Sequence, residues 1–122
     1  MPFEIKDTLP FTHEQAVTML TEAPWTEQER KLICDGGLVF LHHGFGGQIR
    51  DYWHLWEPTT PLSRHYQQKF GLGHADDMST LIIEDMVARL RGERYAMDIR
   101  VQRIKKYWLN QNVDPLYMKE IQ

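Results

Sequence analysis

Apolar residues along this chain recur every three or four positions and do not alternate for any useful length, which predicts helices and no strand. Thr12 with Gln15 forms a capping-box pattern that opens a first helix through Val17 and Leu20, with Phe11 placed to staple against Ala16. Thr26 with Glu29 repeats the pattern and opens a second helix through Leu32, Ile33 and Cys34, which Gly36-Gly37 should end. A third element is expected from about Leu38 to Trp56. In it Leu38, Leu41, Phe45, Ile49, Tyr52 and Trp56 fall within about 100° of arc. Pro61, suited to the first position of a helix, opens a short one through Tyr66 and Phe70, and Gly71-Leu72-Gly73 is a turn.

Asp76 or Asp77 should then cap the longest helix, 77–91, with both carboxylates at the positive end of its dipole. Met78, Leu81, Ile82, Ile83, Met86, Val87 and Leu90 cover more than half of its circumference, so it belongs at the centre. A sixth helix, from Ala96 to Asn110, sets Met97, Val101, Ile104 and Trp108 against Arg100, Arg103 and Lys106 on the opposite face. Asp114-Pro115 is suited to start a terminal turn of helix through Tyr117 and Ile121. The expected fold is all-α: a compact single domain of five to seven short helices around a buried helix 77–91.

The third element carries an anomaly. Gly44, Gly46 and Gly47 lie inside it, and each glycine costs about 1 kcal/mol relative to alanine in a helix interior. Close approach of a backbone or a ligand to a face without side chains is the usual compensation.

Length and composition narrow the class without choosing a function. A chain of 122 residues, 42% hydrophobic and 25% charged, is sized and balanced for one self-sufficient globular domain. No apolar run is long enough to span a bilayer, and the first residues lack the features of a secretory signal. The single Cys34 cannot form an internal disulfide, so a cytoplasmic setting is the expectation. The net charge of -3 is unevenly distributed: seven of the fourteen basic residues lie between Arg89 and Lys106, so that segment is +5 and the remainder -8. The expected organisation is a helical core over 1–92 and a basic helical extension over 93–122 packed on the same domain.

Five of the six histidines, His42, His43, His54, His65 and His74, fall within 33 residues. His43, Gly47, Arg50 and His54 share one face of the third element. With His74, Asp76 and Asp77 they form a candidate ligand or structural polar cluster. Arg50 offers a planar clamp for a carboxylate or phosphate, and a histidine exchanges protons near neutral pH. The competing reading needs no ligand: Arg50 pairs with Asp76 or Asp77 and fixes two helices. His43 and His54 stand about 16 Å apart along a helix axis, too far for joint metal ligation, so no metal site and no cofactor are expected. Cys34 at a helix C-terminus is a poor thiolate, and no catalytic residue is assigned.

Three stretches together resemble an uncharacterised family of small bacterial helical domains. They are Leu9-Pro10-Phe11-Thr12-His13-Glu14-Gln15-Ala16; the run from Leu41 through Gly46-Gly47-Gln48-Ile49-Arg50-Asp51 to Leu55-Trp56; and Gly73-His74-Ala75-Asp76-Asp77-Met78-Ser79. The resemblance extends from Leu9 to Gly92. It places Arg50, Trp56, His74, Asp76 and Asp77 at motif positions and Asp51 where asparagine is commoner, and it assigns no activity.

The expected function is therefore a non-enzymatic macromolecular interaction module, of the kind that serves as an inhibitor, immunity or regulatory factor in bacterial or phage accessory systems. A protein partner would meet Trp53, Arg100, Arg103 and Lys106, because tryptophan and arginine dominate binding hot spots. Two alternatives stand beside it: an enzyme or small-anion or nucleotide binder using the Arg, His and Asp pocket, and nucleic-acid binding through helix 97–110.

Overall fold

The long apolar helix organises everything else. In the computed structural model, which describes residues 9–35 and 43–121, six α-helices are formed. They are α1 His13–Thr21, α2 Glu27–Asp35, α3 Phe45–Tyr52, α4 Pro61–Phe70, α5 Ala75–Leu90 and α6 Met97–Asn110. Each of the other five packs against α5. Met78, Leu81, Ile82, Ile83, Met86 and Val87 of α5 meet Val17 and Leu20, Ile49, Leu62 and Tyr66, and Val101 and Ile104 in one continuous core. Burying each large aliphatic side chain contributes roughly 1.5–3 kcal/mol, and α5 supplies the most of them, so the other helices converge on it. The single all-helical domain expected from the periodicity is the domain observed. Among the described residues no helix is long and apolar enough to cross a membrane.

Local signals set the helix starts. The Thr12 hydroxyl accepts from the Gln15 backbone N–H at 3.1 Å, while the Gln15 side chain reaches one residue further back, to Phe11 N–H. Thr26 and Glu29 complete a reciprocal capping box. Thr60 caps α4 ahead of Pro61, and Gly71, at φ 68°, ends it in the left-handed conformation that glycine adopts without strain. Arg91 donates to the Cys34 carbonyl, which satisfies the C-terminal end of α2.

The third element departs from its expected course. Leu38 and Leu41 lie outside the described residues, and the helix ends at Tyr52 rather than Trp56. Trp53 N–H still bonds to Ile49, but His54 turns left-handed at φ 54° and Leu55 N–H reaches back to the Arg50 carbonyl. Trp53 therefore keeps the inward side of buried Ile49, and the turn breaks the register only beyond it. Trp53, expected at a partner surface, is only 2% exposed and sits in the core with Leu55, whereas Tyr52 and Trp56 are exposed.

The C-terminus differs as well. Asp114 accepts from the Leu116 and Tyr117 N–H groups, and an isolated bridge joins Val113 to Glu120, so residues 112–121 form a hook rather than a turn of helix. The hook closes on the turn before α5, with Gly73 N–H donating to the Pro115 carbonyl at 2.9 Å.

Candidate functional site

The motif residues gather at the N-terminal end of α5, where His74 is the cap. Its Nδ1 accepts from the Asp76 backbone N–H at 3.0 Å, so the cap is neither Asp76 nor Asp77. A backbone amide only donates, which leaves Nδ1 unprotonated and puts the ring proton on Nε2. With the cap filled by imidazole, the two carboxylates are released to other partners. Asp76 lies 3.3 Å from Arg50 Nε, and Arg50 Nη1 donates to Ser79 Oγ at 2.8 Å, tying α3 to α5. Asp77 takes a different partner from the one expected: its carboxylate accepts from Trp108 Nε1 at 2.8 Å, tying α5 to α6. Burial pushes the Asp77 carboxyl above its ordinary range, and the Trp108 hydrogen bond offsets part of that.

Aromatic rings close the cluster. Trp108 stacks on His74 with centroids 5.5 Å apart, and Trp56 meets the same imidazole edge-on at 5.9 Å. Of the glycines of α3, Gly46 is buried, whereas a Cβ on Gly47 would make only an ordinary contact, 3.8 Å from Arg50 Nη2. The Arg50 side chain is 11% exposed. His43 and His54 do not join this cluster. His43 is exposed on the approach to α3, and His54, beyond the end of the helix, faces Glu57 at 3.8 Å. His42 lies outside the described residues.

A second polar cluster, invisible to motif spacing, occupies the other half of α5. His13 is buried, with Nε2 2.8 Å from Asp85 Oδ2 and Nδ1 2.6 Å from the Tyr66 hydroxyl. Burial pushes Asp85 up, but the His13 hydrogen bond and the Arg89 charge outweigh it and leave the carboxyl below its ordinary range. An ionised carboxylate only accepts, so Nε2 carries a proton toward it, and in the neutral ring the Tyr66 hydroxyl donates to Nδ1. Burial holds Tyr66 protonated. Arg89 extends the chain of bonds from Asp85 to Glu14, whose carboxyl its guanidinium holds below the ordinary range. A cavity of about 410 Å³ opens beside this network, between Phe70 and Met97, with His65, Lys69 and Asp98 at its walls. His65 is pushed toward its neutral form by burial. Among the described residues no three His, Cys, Asp or Glu side chains are placed to hold a metal ion.

The basic segment is less basic at its surface than its sequence. Arg100 makes two bonds to Glu84, whose carboxylate also accepts from Tyr95, so it is a structural residue on the inward side of α6. Arg89 and Arg91 are bonded within the fold, and Lys105 lies against Gly71. Arg91, despite its bond, is exposed, as are Arg94, Arg103 and Lys106.

Fold and clusters thus define a small all-helical domain whose motif residues sit at the head of its central helix. Residues 9–90 match the model of the family described as Domain of unknown function (DUF6794), and the chain belongs to that family. Trp108 and the hook, which complete the cluster around His74, lie beyond the matched span. No curated protein and no solved structure matches the chain.

Proposed function

We propose that this protein is a non-enzymatic interaction module that works by occupying the surface of another macromolecule. One observation carries the reading: Arg50 Nε and Nη1, His74 Nδ1 and the Asp76 and Asp77 carboxylates are directed at Ser79, at Trp108 and at groups of the same cluster. A binding or catalytic site keeps donors and acceptors for its substrate, whereas these are used to join α3, α5 and α6. A small helical domain whose motif residues are bonded to one another suits an inhibitor or regulatory factor. The test is affinity capture from lysate of the source cell, comparing the wild type with Arg50→Ala and Arg103→Glu. A specific macromolecule retained by the wild type supports the reading, and the absence of any argues against it.

The cavity beside His13 favours a second reading, a small-ligand binder at a different place from the Arg50 cluster. Its volume lies in the range of small-molecule sites. Its charges are mixed, and His13, Asp85 and Glu14 are already committed to Tyr66 and Arg89. A small amine or carboxylate that shifts the His13 and His65 imidazole NMR signals would favour this second reading.

A further inference from the structure

At 100° per residue, Ile99, Gln102, Arg103, Lys106 and Tyr107 fall on one outward arc of α6, about 140° wide. Val101, Ile104 and Trp108 occupy the opposite side against α5. Ile99 and Tyr107 are each 57% exposed, so this arc carries apolar surface between its cations. Asp98, Ile99, Gln102, Arg103 and Lys106 line a shallow depression of about 360 Å³. Among the described residues, no hydrogen bond or ion pair engages Arg103 or Lys106.

We propose that this outer face of α6 is a docking surface for an acidic polypeptide segment with an apolar anchor. The anchor would seat over Ile99, while carboxylates of the segment pair with Arg103 and Lys106. This rests on the interaction-module reading and specifies where and with what chemistry it operates. Charge selects the sign of the partner: the arc holds two cations, and the one acid lining the depression, Asp98, lies at its edge. The apolar centre selects polypeptide over nucleic acid. A phosphate backbone is held by rows of cations, and Arg100, Arg89, Arg91 and Lys105 are engaged with other groups of the fold while Arg94 precedes α6, so this arc holds only two, flanking an isoleucine. The surface lies outside residues 9–90, so it belongs to this chain's extension rather than to the family domain.

The full chain, labelled with nitrogen-15, is titrated with three probes: a short synthetic helix of Glu and Leu, the same helix with Lys for Glu, and a short duplex DNA. The acidic helix is expected to shift the Ile99, Gln102, Arg103 and Lys106 amides. The double variant Arg103→Glu/Lys106→Glu should weaken it about tenfold or more, equivalent to about 1.4 kcal/mol. Both positions are exposed, so an unchanged helical circular dichroism spectrum verifies folding of the variant. Tighter binding of DNA than of the acidic helix, equal binding of the basic helix, or shifts mapping to another face would each overturn the proposal. Capture of a macromolecule that survives the double variant would also overturn this surface, while leaving the interaction-module reading intact.

Discussion

The two halves of α5 each hold a histidine against a carboxylate, and they do it in opposite ways. At the head, His74 serves its own helix as a cap, two residues from the amide it accepts, and neighbouring helices then compete for Asp76 and Asp77. In the second half, His13 comes from α1, 72 residues away in sequence, and is clamped between Tyr66 of α4 and Asp85. The head is stacked with indoles and partly open, whereas the His13 network is buried and fully satisfied. Burial without an ionic partner raises the Asp77 carboxyl, while burial with His13 and Arg89 leaves Asp85 lowered. Similar groups on one helix thus differ in role according to whether their partner is local or distant.

The comparison is broken most severely at His13. His13→Ala leaves Asp85 and the Tyr66 hydroxyl buried without their partner, and urea unfolding should show a loss of about 3–5 kcal/mol. At the head the largest effect comes from the backbone. A Cβ on Gly73 would collide with the Leu116 carbonyl oxygen, so Gly73→Ala must displace the hook. It should cost about 1–3 kcal/mol, with amide exchange quickening in residues 112–121. Trp108→Phe keeps a ring over His74 but removes the donor to Asp77, for a loss of about 1–2 kcal/mol by the same unfolding measurement. Ser79→Ala removes one acceptor of Arg50 and leaves Asp76, so about 1 kcal/mol is expected.

The pH dependence sharpens the contrast further. The lowered Asp85 carboxyl stabilises the fold above the ordinary aspartate value, and that contribution is lost as pH falls below about 4. The raised Asp77 carboxyl does the reverse. Its contribution is present in acid and is lost as pH rises above about 4 through its folded value. In unfolding measured across this range, Asp85→Asn should flatten the acid loss, and Asp77→Asn should remove a decline toward neutral pH.

Where sequence reading succeeded and failed follows the same divide. Thr12 and Thr26 accept from amides three residues on, and Pro61 brings its fixed φ to the first turn, so the helix starts they set are legible. His74 was passed over as a cap in favour of the more usual aspartates because imidazole seldom fills that role. The stripe expected to reach Trp56 fails before the helix ends: Trp53, four residues after buried Ile49, falls on the inward side and Tyr52 on the outward, and a left-handed His54 then breaks the register ahead of exposed Trp56. Arg100 looked like a surface cation because nothing in its spacing shows that Glu84 and Tyr95 meet it from the adjoining helix and turn. Asp85 sits on a helix that reads as apolar, and its partner lies at the other end of the chain, so no local signal marked it.

The sequence by itself determined that this chain is all-helical, that a helix placed at 77–91 lies at its centre, and that it belongs to a family of uncharacterised domains. Periodicity and capping are short-range properties, written within a few residues of where they act. Only the tertiary structure decided which polar groups are used up and which remain for a partner. An arginine or aspartate is satisfied by whatever packs across from it, and that neighbour is chosen when helices distant in sequence converge on one core.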